Sequence, residues 1–250
     1  MAKSKGEKDI LLYGRHPVTM ALQNPNRKIR EIFAVKGSLD GLSIPTDIPV
    51  RIVAREQIDS LVGRDAVHQG IVAKCAPTPP LRLKDILTNL GETEAGVILL
   101  LDQVTDPHNI GAILRSAAAF GALAVVVPES GAPDETGVLA KSASGALELV
   151  PLVRVANLVR AMEQLKEQGF WCVGMDGHAS DAIGDQKLPS RSAFIMGSEG
   201  DGMRRLTAEN CDFVTKLPMN PVVESLNVSN AAAITLYEYR RQYPFNVTKG

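Results

Sequence analysis

The sequence predicts an α/β protein: a mostly parallel sheet covered by helices on both faces, preceded by a small α/β unit. Three observations carry this reading. Five short apolar runs, at 97–101, 124–127, 170–174, 193–196 and 213–217, alternate with helical stretches at 110–120, 137–144 and 156–168. Continuous apolar strands signal burial on both faces, and strand–helix alternation signals parallel pairing. Upstream, Ala76-Pro77-Thr78-Pro79-Pro80 stiffens the chain and prevents a regular element, which marks a boundary. Polar clusters follow several of the apolar runs, and ligands of such sheets bind outside the carboxyl ends of the strands.

The elements follow in order. Residues 9–13 form a short strand, and 14–23 a helix with Val18, Ala21 and Leu22 on one face. Residues 29–34 and 50–53 are strands, 55–62 is a short helix, and 70–75 is a closing strand. Alternation within so short a span makes a compact α/β sandwich. Two turn-like places stand out in it, Tyr13-Gly14-Arg15-His16 and His68-Gln69-Gly70. A helix at 83–90 follows the prolines. The domains are therefore 9–76, a Pro-rich linker at 77–96, and 97–245, which closes with a helix at 231–241.

Composition sets bounds. The chain has 250 residues, 45% of them hydrophobic, enough for a sizeable core. No run of about 18 apolar residues predicts a membrane span. The polar start, residues 1–9, lacks the apolar stretch of a signal peptide. Three scattered cysteines, Cys75, Cys172 and Cys211, suit a reducing cytoplasm, and the four histidines have no metal-ligand spacing. Net charge is −1, unevenly divided. Residues 1–80 carry 12 basic and 8 acidic side chains, a balance of +4, leaving −5 for the rest. That asymmetry fits a polyanion-gripping unit beside a chemical one.

Three clusters carry the chemistry. After the strand at 97–101 comes Asp106-Pro107-His108-Asn109-Ile110-Gly111, with Arg115 six positions beyond Asn109. Asp106-Pro107 turns the chain and Asn109 suits a helix start. Arg115 is either a snorkelling surface side chain or a cation aimed at a phosphate or a developing anion. After 193–196 comes Gly197-Ser198-Glu199-Gly200-Asp201-Gly202, where glycines let backbone approach a ligand. Its spacing is neither a dinucleotide fingerprint nor a P-loop, which excludes a nicotinamide oxidoreductase. The third cluster runs from Leu217 to Ala231. Ser225, Asn227 and Ser229 crowd a helix start, more than one cap requires, and make a polar cup.

In this order the clusters resemble the three motifs of the SpoU family, SPOUT-class RNA methyltransferases. D-P-x-N-x-G-x-x-x-R is met by Asp106, Pro107, Asn109, Gly111 and Arg115; G-S-E-G-x-G by Gly197 to Gly202; P-M-x-x-x-x-E-S-L-N-V-S by Pro218 to Ser229. Tyr13-Gly14 and His68-Gln69-Gly70 are similar to the substrate-binding domain of the subgroup that modifies a guanosine in the peptidyl-transferase P loop of bacterial 23S rRNA. Leu217 stands where isoleucine is usual, and Asn220-Pro221 where a glycine is common.

The resemblance implies a SPOUT-type sheet with a trefoil knot, a homodimer, and methyl transfer from S-adenosylmethionine to a ribose 2′-oxygen, with no metal. It implies cofactor contacts from backbone at Gly197, Leu217 and Leu226. It implies a catalytic set of Arg115, Asn109, Glu199, Ser225 and Asn227. Arg115 would stabilise charge on the oxygen, Asn109 and Ser225 would orient it or the ribose, Glu199 would hold Arg115 or the loop, and Asn227 would brace the cofactor loop. The final helix, with Leu226, Ala232, Ile234 and Leu236, is a dimer face or core. The rivals are a family member acting on tRNA or another rRNA site, and a catalytically silent RNA-binding assembly factor.

Overall fold

The computed structural model describes residues 9–88 and 95–245. The polar start before Asp9 and the expected helix end at 89–90 lie outside them. The N-terminal part comprises β1 (Ile10–Tyr13), α1 (Arg15–Gln23), β2 (Ile29–Ala34), β3 (Val50–Ile52), α2 (Arg55–Val62) and β4 (Ile71–Cys75). Its four-stranded sheet has the order β1-β4-β2-β3, with β3 parallel to β2 and the other pairs antiparallel.

After α3 (Leu83–Thr88) come β5 (Gly96–Leu101), α4 (Pro107–Ala119), β6 (Ala124–Pro128) and α5 (Gly137–Ala143). A 3₁₀ turn leads to β7 (Leu152–Val155), α6 (Leu158–Glu167) and β8 (Trp171–Met175). A second 3₁₀ turn leads to β9 (Arg191–Met196), α7 (Arg205–Glu209), β10 (Phe213–Thr215) and α8 (Val228–Gln242). The sheet order is β10-β8-β9-β5-β6-β7, all pairs parallel.

Strand β5 shows why the sheet needs both its helical layers. Val97, Leu99 and Leu101 pack into one core with Ile110, Ile113 and Leu236, while Ile98 and Leu100 pack into a second with Leu158, Met162 and Leu165. Period-two alternation sends successive side chains to opposite faces, and each fully buried aliphatic contributes about 1.5–3 kcal/mol. The first core runs on into the N-terminal part through Leu12, Val18 and Ile71.

The sequence reading is corrected in places. The sheet has six strands, because Leu152–Val155 pairs with β6 at the edge. The strand expected at 213–217 ends at Thr215, and the helix expected at 231–241 begins at Val228 and ends at Gln242. Helix α4 begins at Pro107, because the Asp106 carboxylate caps it by accepting from His108 N at 2.9 Å. Gly111 explains itself by packing: a Cβ there would come within 2.6 Å of Leu139 O and 2.9 Å of Ala143 N on α5. Burial pushes the Cys75, Cys172 and Cys211 thiols up to about 12.

One buried cation ties the two parts together. Arg27, just before β2, meets Glu135 at 2.5 Å and Glu148 at 2.6 Å, and donates to Ala76 O at 3.0 Å. Asn24 Nδ2 donates to Glu148 as well, at 2.6 Å. Burial alone lowers the Arg27 pKa, but the hydrogen bonds and charges of Glu148 and Glu135 together raise it. Removing the charge strands two carboxylates in a poorly solvated seam, so Arg27→Met is expected to lose about 3–5 kcal/mol in urea unfolding. A loss under about 1 kcal/mol, typical of a surface pair, would show that the clasp is not structural.

Candidate active site

The polar clusters meet where the sheet reading expects, beyond the carboxyl ends of neighbouring strands. Met175 ends β8 with Asp176 just beyond, Met196 ends β9 with Gly197 just beyond, and Leu217 follows β10. With Ser225, Leu226 and Val228 at the start of α8, they line a cleft of about 610 Å³. Its apolar wall includes Met175, Met196, Leu217, Met219 and Leu226, and its acidic rim holds Asp176, Glu199, Asp201 and Glu224. Among the described residues no lysine or arginine lines it. Such a cleft suits a ligand that is part apolar and part cationic.

The glycine loop is built by a tight reversal. Ser198 N donates to Gly202 O at 3.0 Å, and Gly202 N to Ser198 O at 3.1 Å. Gly200 and Gly202 have φ of 89° and 69°, the region glycine occupies without strain. At Gly197 a side chain would overlap the backbone of Gly202 and Met203. Below the loop, the fully buried carboxylate of Asp102, just past β5, accepts from Arg204 N at 2.9 Å and Nε at 2.7 Å. This pair fixes the descending end of the loop, and sequence reasoning missed it.

Glu199 joins the three clusters. Its Oε1 accepts from Asn227 Nδ2 at 2.8 Å, Val228 N at 3.1 Å and Asn109 Nδ2 at 3.3 Å. Asn227 Nδ2 also donates to Asn109 Oδ1 at 2.9 Å. Asn227 meanwhile caps α8, its Oδ1 accepting from Ser229 N at 3.0 Å. A carboxylate at the first turn of α8 also meets the positive end of the helix dipole.

Of the predicted residues, Gly197, Glu199, Leu217, Ser225 and Leu226 line the cleft, and Asn109 and Asn227 adjoin it through Glu199. Arg115 does not line it. It lies on the exposed side of α4 and makes no hydrogen bond or ion pair among the described residues. Glu199 therefore bonds the loops rather than Arg115. A larger groove, about 730 Å³, lies between Asp9, Pro77–Arg82 and Asp134–Gly137, yet it contains none of the motif residues. The smaller cleft has the strand ends and the glycine cradle, and it is the better candidate. Among the described residues no cluster of His, Cys, Asp or Glu is arranged to hold a metal ion.

Comparison with known proteins places these features in a family. The model of the SpoU rRNA Methylase family matches residues 96–237, and that of RNA 2'-O ribose methyltransferase substrate binding matches 11–81. The 23S rRNA (guanosine-2'-O-)-methyltransferase RlmB of Vibrio cholerae is 42% identical, with 93% of this chain and 96% of that protein covered. The protein of the same name from Pseudomonas putida is 43% identical, with 92% and 96% covered. Among solved structures, the SpoU methyltransferase AviRb from Streptomyces viridochromogenes in complex with AdoMet superposes with a TM-score of 0.80. It is 25% identical, with 94% of this chain and 90% of that chain covered. With the strand-end cleft, the glycine loop and both matched regions in place, this chain belongs to the SpoU rRNA methylase family.

Proposed function

We propose that this protein transfers a methyl group from S-adenosylmethionine to the ribose 2′-oxygen of a guanosine in 23S rRNA, in the peptidyl-transferase P loop. The observation that carries the reading is the meeting of three sequence clusters at Glu199, beside a cleft with an acidic rim and an apolar wall. Both RlmB relatives cover over nine-tenths of the chain, the N-terminal part included, which favours the rRNA target over tRNA. The reading puts the protein in the cytoplasm, with ribosomal RNA.

The cleft fits the methyl donor on three counts. Carboxylates at the rim suit its sulfonium and ammonium charges, the methionine and leucine side chains suit its adenine, and the bare backbone at Gly197 admits close approach. When bound, S-adenosylmethionine supplies an electrophilic methyl group on a sulfonium. The chain supplies alignment and charge. Backbone at Gly197, Leu217 and Leu226 holds the donor, while Glu199 and Asn227 keep its loops together. Asn109 and Ser225 orient the ribose. The ribose hydroxyl is a very weak acid, and as the oxygen–methyl bond forms and the methyl–sulfur bond breaks to leave a neutral thioether, its proton must pass to solvent water. Arg115, whose guanidinium has no partner among the described residues, grips the neighbouring phosphate and stabilises negative charge developing on the 2′-oxygen.

Two further features belong to this reading. The protein works as a homodimer: Ile234 and Tyr237, one turn apart on α8, are 44% and 57% exposed, whereas Ala232 and Leu236 are buried in the core. The catalytic sheet is knotted. In support, β10 lies at the sheet edge while α8, next in the chain, packs on α4, β5 and β9, so the segment between them passes the glycine loop. Intact protein should sediment as a dimer and Ile234→Glu as a monomer; a monomeric wild type would refute the first point. Pulling the unfolded chain by its ends should leave it shorter than its full contour length, and full extension would refute the knot.

The chemistry is tested in cells lacking the protein. Reintroduced wild type should restore one ribose methyl in the P loop, seen by mass mapping of 23S rRNA, and Arg115→Ala should not. Both a base and a clamp predict that loss, so Arg115→Lys separates them. A guanidinium holds its proton and is a poor base. Lysine keeps the charge but loses the planar fork, so it should stay inactive at every pH. A pH–rate profile for Arg115→Lys that climbs to wild-type activity would overturn the clamp. Unmethylated rRNA with the wild type present would overturn the function itself.

A further inference from the structure

Lys141 is a cation without a hydrogen-bonding or ion-pair partner among the described residues. It lies in the last turn of α5, where that helix passes the turn between β1 and α1. A Cβ on Gly14 would come within 2.5 Å of Lys141 Nζ and 3.3 Å of Gln69 Oε1, so the ammonium rests against the backbone of that turn. It is half-buried and makes no hydrogen bond or ion pair among the described residues. Burial lowers its pKa. Partial removal of an ammonium from water without a partner costs stability. The same side chain becomes favourable once an anion arrives.

Its surroundings say which anion. From the N-terminal part come Arg15, His16 and Gln69, all exposed. Gln69 Oε1 accepts from Arg15 N at 3.0 Å, which joins the two turn motifs that sequence analysis singled out. From the other side, Ser142 follows Lys141, and its Oγ lies 3.1 Å from Nδ1 of the exposed His108, whose neighbour is Asn109. A polar strip thus runs from the N-terminal turns across Lys141 to the start of α4. We infer that Lys141 is the cation of a phosphate subsite on this strip, taking a backbone phosphate of the RNA as the strand passes from the N-terminal part to the active site. The inference rests on the rRNA reading above, and it assigns recognition to a residue outside the three motifs.

The test uses the full-length chain and a 23S rRNA fragment carrying the P loop. Lys141→Met removes the charge and keeps the stem. Its RNA dissociation constant should rise at least about tenfold. The slope of log affinity against log salt should flatten by about 0.7–0.9, the signature of one lost phosphate contact. Affinity for S-adenosylmethionine should not change, and Tm should stay level or rise, because a desolvated charge is gone. Lys141→Arg should restore the salt slope. A purely structural lysine would lower Tm and leave the slope alone, and either that result or unchanged RNA affinity would overturn the inference. So would a shifted dimer equilibrium with an unchanged slope. Should the methionine variant misfold, Lys141→Gln gives the same readouts. If the wild type binds and methylates the RNA but the slope does not respond to Lys141, only this inference fails. If the wild type does neither, both readings fail.

Discussion

The candidate site depends on one carboxylate. Glu199 accepts hydrogen bonds from groups 90 residues before it and 28 and 29 residues after it. Asn109 lies in the first turn of α4, which follows β5, and Asn227 and Val228 open α8, which follows β10, while Glu199 itself lies in the loop after β9. Without Glu199 the amides of Asn109 and Asn227 and the N–H of Val228 lose a shared acceptor. Each such orphaned group costs about 1–3 kcal/mol where water cannot replace it. An aspartate is one methylene shorter, and a glutamine lacks the charge that two side-chain donors, one backbone donor and a helix start all face. Residue type and reach are both constrained here.

The rest of the molecule serves to bring those segments to one end of one sheet. Strand β5 is buried on both faces, and the helices over it are capped at their starts by Asp106, Thr136, Asn157 and Asn227. Close backbone approach at Gly111 lets α4 and α5 touch, which carries Ser142 to His108. Geometry built this way lies on rigid elements, with loops only where a ligand needs backbone.

Much of this was legible from residues alone. A run such as Val97–Leu101 can only be a doubly buried strand or a piece of buried helix, and flanking glycine and aspartate decide between them. Strand β7 escaped because it is short, sits at the sheet edge after Pro151 and carries Arg154, so it lacks an apolar run. Family motifs named Glu199, yet its partners were not readable, because hydrogen bonds between distant segments leave no spacing in the sequence. The same holds for Asp102 and Arg204, 102 positions apart, and for Lys141, whose lack of a partner among the described residues is a property of the folded seam. Asp102 did leave a trace, as the first polar residue after an apolar strand. Sequence patterns report which face a residue takes, not whom it meets.

The Arg27 clasp has a consequence for the thermodynamics of recognition. A hinge between the two parts would have to separate a buried guanidinium from Glu135 and Glu148 and expose the core they share. Freedom of that kind is already spent when the chain folds. Under the proposed function, binding needs no ordering of one part against the other, and the entropic cost of association falls on the RNA, whose strand must adapt to a preorganised surface.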